Sequence, residues 1–211
     1  MQNVAAPCSQ WIVCSPARTG CCAWPLNRTV RRQIGTMSQE ISFIRARTDD
    51  AGRIVALVNR AYRGDSSRSG WTNEADLFDG PRTDESEVRD LIASDGSMIL
   101  VCVQGTDIVG SVLLKKSEST AYLGMLVTDP LVQGAGIGSR LMQAAEAVAG
   151  EQWAATRISI TVITCRDELV AFYQRRGYRR TGRIAPVPPD DLSTPRADNL
   201  QLEVMEKEID R

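Results

Sequence analysis

Gln133-Gly134-Ala135-Gly136-Ile137-Gly138 stands between an apolar run at residues 121–127 and an amphipathic helical pattern at residues 137–148. Glycines at alternate positions lack the Cβ atoms that hold a ligand away from the backbone. The helix that follows turns its first unpaired N–H groups and positive dipole end toward the same gap. Strand, glycine loop and helix in this order are suited to hold phosphate, although the six residues alone also read as a plain turn. Spacing separates the kinds of phosphate loop. Gly138 is followed by Ser139-Arg140, so the lysine that a nucleoside-triphosphate loop places on the β and γ phosphates is missing. A dinucleotide fingerprint begun at Gly134 needs glycine at 139, which is Ser139. One begun at Gly136 needs it at 141, which is Leu141.

Working outward, the chain alternates strand and helix signals. Ile41, Phe43 and Ile44 start a strand, and Thr48-Asp49-Asp50 caps a helix with Ile54, Leu57, Val58, Ala61 and Tyr62 on one face. A loop covers residues 63–81, and a helix after Thr83 turns Val88, Leu91 and Ile92 inward. Residues 98–103 and 108–114 form a hairpin across Gln104-Gly105-Thr106-Asp107. Past the glycine loop and its helix, Arg157-Ile158-Ser159-Ile160-Thr161-Val162-Ile163 alternates and is rich in β-branched residues, a strand signature. Asp167 then caps a helix holding Leu169, Val170, Phe172 and Tyr173, which Gly177 stops. Strands at 178–184 and 200–209 enclose a proline-rich insert at 186–195.

Gln133, Gly136 and Gly138 match the pattern Q/R-x-x-G-x-G/A, and Phe172-Tyr173-Gln174-Arg175-Arg176-Gly177-Tyr178 matches an aromatic segment F-Y-x-x-x-G-Y/F. With these two motifs on the expected elements, residues 41–209 resemble the GNAT family of acetyl-CoA-dependent N-acetyltransferases. The resemblance implies an α/β (α+β) GNAT fold: a central mixed, mostly antiparallel seven-stranded sheet, flanked by about four helices and splayed between its fourth and fifth strands. It implies that Gln133, Gly134, Ala135, Gly136, Ile137, Gly138 and Ser139 hold the pyrophosphate of acetyl-CoA. Met125, Leu126 and Val127, on the strand before the loop, then offer backbone groups to the pantetheine arm as an added strand would. A backbone N–H in that stretch can also face the thioester oxygen and stabilise its developing charge. Leu126 and Val127 read equally as core residues.

Tyr173 matches the family tyrosine that approaches the CoA sulfur and serves as general acid; the plainer reading is a packing residue on its helix. The chain has no histidine, which leaves a carboxylate, a water or nothing as general base. Glu74, with Asp76 beside it, lies in the long early loop that in the family walls the acceptor site; the competing reading is a solvated surface acid. Trp71 in the same loop is an apolar wall for the acceptor or an anchor of the loop. Many members carry Asn shortly after the strand ending at Ile163, where this chain has Thr164-Cys165-Arg166-Asp167. Arg166 there can meet a CoA phosphate, or it can equally cap the helix or pair with Glu168.

The chain has 211 residues, 43% of them hydrophobic and 24% charged, enough for one domain with a sizeable core. Its net charge of −1 speaks against nucleic acid as the main partner. Residues 1–39 hold four arginines and no acid, so the remainder carries 21 basic against 26 acidic residues. Residues 1–36 lack periodicity and contain Cys8, Cys14, Cys21 and Cys22 at spacings unlike paired zinc knuckles, so no metal is expected. They read as a disordered or dispensable extension ahead of a domain at 40–211, with Met37 a natural start. The expectation is a cytoplasmic protein, monomer or homodimer, without a membrane partner; organellar import through residues 1–36 is the alternative. Cys102 and Cys165 read as small core residues. The expected function is acetyl transfer from acetyl-CoA to the primary amine of a small molecule or peptide by direct attack in a ternary complex. The alternative is a noncatalytic acyl-CoA-binding sensor or regulatory module.

Overall fold

The computed structural model describes residues 40–63, 74–187 and 192–209. The extension at 1–36 and Trp71 lie outside them. The elements are β1 (Ile41–Arg45), α1 (Ala51–Tyr62), β2 (Phe78–Asp79), α2 (Glu85–Ala93), β3 (Ser97–Gln104), β4 (Asp107–Ser117), β5 (Thr120–Thr128), α3 (Ile137–Trp153), β6 (Arg157–Ile163), α4 (Asp167–Gln174), β7 (Arg179–Pro186), β8 (Thr194–Pro195) and β9 (Gln201–Glu208). Seven strands form one sheet in the order β1-β3-β4-β5-β6-β9-β7, and β2 pairs with β8 apart from it. All neighbours in the large sheet are antiparallel except β5 and β6. This is the mixed, mostly antiparallel seven-stranded sheet with four helices that the resemblance implies.

Each face of the sheet carries its own core. Ile54, Leu57, Val58 and Ala61 of α1 and Val88 of α2 pack with Ile99, Val101 and Leu113 on one face. Leu141, Met142, Ala145 and Val148 of α3 and Val170 and Tyr173 of α4 pack with Leu100, Val112, Leu114 and Leu123 on the other. The apolar stripes of the helices decide this, since each must be buried against a strand face.

A bulge in β5 switches its alternation between these cores. Ser111 lies opposite Val127 and Leu113 opposite Gly124, so Val112 alone faces Met125 and Leu126. Met125 takes a left-handed backbone, φ +46°, a conformation that costs a non-glycine residue on the order of 1 kcal/mol or more. Ala121 and Leu123 therefore pack toward α3, while Met125 and Val127 pack toward α1.

Beyond the bulge the sheet parts. β5 and β6 pair only at Thr120↔Arg157, Ala121↔Ile158 and Tyr122↔Ser159, whereas β6 keeps β9 along its whole length, to Ile163↔Leu202. This is the splay implied between the fourth and fifth strands of the large sheet. It is bridged near its vertex by the Tyr122 and Thr161 hydroxyls, 3.0 Å apart.

Some local expectations shift. Asp84 caps α2, its carboxylate accepting the Glu87 N–H at 2.8 Å. Thr48–Asp50 forms a 3-10 turn in which the Asp50 carboxylate accepts the Arg47 N–H. Arg166 occupies the cap position of α4, and Asp167 and Glu168 lie in its first turn, where their charge favours the dipole. Cys102 is fully buried, but Cys165 is exposed, because β6 ends at Ile163 and the turn into α4 carries Cys165 to the surface. Among the described residues no helix is long and apolar enough to cross a membrane.

Candidate active site

The parted strands open onto a cavity of about 460 Å³. Its walls include Gly124, Met125, Leu126, Val127, Thr128 and Gln133 from β5 and its loop, Ile160 and Val162 from β6, and Tyr173 from α4. From the α1 and α2 side come Tyr62, Arg63, Glu74, Phe78 and Arg82. One cavity thus joins residues from both faces of the sheet.

The glycine loop leaves β5 through a turn at Pro130–Val132 capped by Asp129, whose carboxylate accepts the Leu131 N–H. Gln133 donates through Nε2 to the Thr128 carbonyl at 3.3 Å. Gly134 has φ +86° and Gly136 φ +74°, and a Cβ built on either meets nothing within 4 Å. The positive φ demands glycine, and the open space above it admits a ligand to the backbone. Gly136 is the N-cap of α3 and supplies no side-chain cap, so the first N–H groups of that helix keep their capacity to donate to an anion. Ala135 is exposed on this loop, and Ile137 is buried with Cys102 and Val109 and anchors it. Gly138 lies close to Thr128, whose Oγ1 would be 3.2 Å from an added Cβ. The set fits a pyrophosphate.

Ser139, in the first turn of α3, accepts hydrogen bonds from Nε and Nη2 of Arg176 at 3.2 and 2.5 Å. Arg176 lies 3.4 Å above the Phe172 ring centroid and donates to the Phe172 carbonyl. This clamp, which joins the two sequence motifs, was missed at the level of sequence; the i, i+4 spacing of Phe172 and Arg176 was its only trace.

Tyr173 is buried, with edge-to-face contacts to Phe172 and Tyr178 at centroid distances of 5.2 and 5.6 Å. Its hydroxyl makes no hydrogen bond among the described residues, and the residue lines the cavity. Burial, reinforced by the nearby Tyr62 and Tyr122, raises its pKa well above the ordinary tyrosine value. It therefore remains a protonated donor at neutral pH.

Glu74 and Arg166 come together at the cavity wall. Glu74 lies 3.4 Å from Arg63 and 3.9 Å from Arg166, and Arg166 also meets Glu168 at 3.2 Å. Arg166 stands at the cap position of α4 without a side-chain cap hydrogen bond and pairs with Glu168, and Glu74 has two guanidinium partners rather than a solvated position. Tyr62, Tyr122 and Arg82 complete this wall and were not singled out from sequence. Tyr62 read as the last core position of α1, and only the folding of residues 78–83 against α1 reveals its second surface.

The profile of the acetyltransferase (GNAT) family matches residues 67–178. A blasticidin-S acetyltransferase of Streptomyces morookaense is 33% identical over 88 residues, 42% of this chain and 63% of that relative's length. Among solved structures, a GNAT-family acetyltransferase from Streptococcus pneumoniae superposes with TM-score 0.56 at 21% identity, over 81% of this chain and all of the other. The ribosomal-protein-S18-alanine N-acetyltransferase of Escherichia coli gives 0.61 at 13% identity, over 82% and 96%. The parted strands, the glycine loop before α3 and the profile that spans them lead to one assignment: the chain belongs to the GNAT acetyltransferase family.

Proposed function

We propose that the protein transfers an acetyl group from acetyl-CoA to the primary amine of a small molecule or peptide, by direct attack while both are bound. The observation that carries this reading is the single cavity running from Gln133 and Thr128 past Tyr173 to the α1 side of the sheet. Acetyl-CoA supplies the acyl thioester. In this reading Gly134, Gly136 and the first N–H groups of α3 take its pyrophosphate, and residues 125–127 present backbone groups to its pantetheine arm.

The amine enters from the α1 face, opposite α3, so donor and acceptor meet in the gap without crossing. A C–N bond forms and the C–S bond breaks; the nitrogen loses one proton and the sulfur gains one. Tyr173 is the donor for the sulfur. Glu74, paired with Arg63 and Arg166, is placed to steer the acceptor or to take the amine proton through water. The curated relative is named for acetylation of blasticidin S, which agrees with a small-molecule acceptor.

The test is CoA release, followed by thiol formation, with a panel of amines including blasticidin S and short peptides. Amine-dependent thiol formation with a stoichiometric N-acetyl product is expected. Tight acetyl-CoA binding with no release for any amine would replace this reading with a noncatalytic acyl-CoA-binding module.

A further inference from the structure

Glu74 stands among guanidinium groups, two of them within ion-pair distance. Arg63 and Arg166 face Glu74, and Glu168 takes a further contact of Arg166. Arg82 lines the same cavity, yet its guanidinium makes no ion pair and no hydrogen bond among the described residues. Its contact is with the Tyr62 ring, 5.8 Å from the centroid.

Arg82 is also held in place. The Asn59 side chain from α1 accepts the N–H groups of Arg82 and Thr83 at 2.7 and 3.2 Å and donates to the Thr83 carbonyl at 2.9 Å. Three hydrogen bonds from one amide fix the backbone, and the Tyr62 ring supports the side chain. Glu74 and Glu87 contribute attraction but stand beyond ion-pair distance. A half-buried guanidinium carried on a fixed backbone segment, with no carboxylate within ion-pair distance among the described residues, is a ready partner for an oxyanion, since its planar fork matches one bidentately.

In this reading the anion at Arg82 is a second one, distinct from the pyrophosphate of the donor. The glycine loop opens into α3, whose core lies on the other face of the sheet from Ala61 and Val88, the core residues that flank the Arg82 segment. We infer that the acceptor carries an oxyanion, a carboxylate or phosphonate, besides its amine, and that Arg82 binds it. The inference rests on the acetyl-transfer reading and narrows it to amino acids and their phosphonate analogues or conjugates.

The test uses the full chain and pairs of amines that share a skeleton: an amino acid, its methyl ester, the amine lacking the carboxyl group, and the aminoalkylphosphonate. Native protein is expected to favour the two oxyanions over ester and plain amine by on the order of thirty-fold or more in kcat/KM, chiefly through KM. Arg82→Gln is expected to abolish that preference, and Arg82→Lys to restore part of it. The carboxylate and phosphonate arms report which oxyanion is read.

Equal or better turnover of ester and plain amine by native protein overturns the inference while acetyl transfer stands. An equal loss for all four compounds in Arg82→Gln overturns it as well. If no amine releases CoA, acetyl transfer fails instead, and binding decides the anion claim. A thermal shift of the CoA-loaded protein by the amino acid that vanishes in Arg82→Gln upholds the oxyanion site; no shift, or the same shift in both proteins, overturns it.

Discussion

At the residue scale, Tyr173 lines the cavity with a hydroxyl that makes no hydrogen bond among the described residues and a ring held between Phe172 and Tyr178. Tyr173→Phe keeps the ring and removes the donor. Turnover with any accepted amine is expected to fall on the order of 100-fold, with acetyl-CoA affinity little changed. Steady-state kinetics and a binding titration on the same sample check it, and kcat within twofold of the parent would leave Tyr173 as a packing residue. Because its pKa is raised by burial, the native rate is expected to show no loss from tyrosine ionisation as pH rises through 10. The position of Tyr173 was legible because it belongs to a short motif on one helix. Arg82 and Tyr122 were not, since an arginine after a proline and a tyrosine in a strand have no local signature; only residues 59, 62 and 161 brought near them give them meaning.

At the scale of elements, the glycine loop makes a prediction that separates strain from ligand exclusion. Gly136 and Gly182 have the same φ, +74°, and an added Cβ at either meets open space. Gly182 lies on the edge strand β7. Valine at either position forces a β-branched residue into the left-handed region, costing roughly 1–3 kcal/mol and a few degrees of melting temperature. Gly136→Val is expected to weaken acetyl-CoA binding strongly as well, and Gly182→Val to leave it unchanged. Calorimetry of both variants with acetyl-CoA is the check, and equal affinities would remove the loop from the binding site. The loop, its helix and the flanking strands were readable because glycine spacing and period-2 alternation are local signals. The bulge at Met125 was not, because the positive φ there goes with a register shift between β4 and β5 that no local pattern announces. Cys165 was misjudged for a related reason: the exact end of a strand is set by its partner, here β9, whose pairing with β6 stops at Ile163.

At the scale of the whole fold, the parted sheet raises the question of what ties its two sides together. The Glu146 carboxylate on α3 accepts the Tyr178 hydroxyl at 2.9 Å and the Lys207 ammonium of β9 at 2.7 Å. Helix α3 packs on β3, β4 and β5, whereas Tyr178 and Lys207 belong to the β9–β7 side, so this network, buried at Glu146 and Tyr178 and half-buried at Lys207, spans the split. Burial and the adjacent Glu146 charge hold the Tyr178 pKa far above its ordinary value, which keeps the phenol a donor. Lys207→Met removes one partner of a buried carboxylate and is expected to cost about 3 kcal/mol. Adding Glu146→Gln should recover part of that loss, a non-additivity that urea denaturation of the three variants measures.

The three pairs that join β5 to β6 also have a consequence for how the molecule breathes. Amide hydrogens of residues 123–128 that face the gap have no β6 carbonyl to shield them, so they are expected to exchange with solvent faster than those of β3 and β4. A ligand lying along the gap would act as the missing rungs of the sheet, slowing that exchange and raising the melting temperature with its concentration. Fold stability would then report how much acyl donor surrounds the protein.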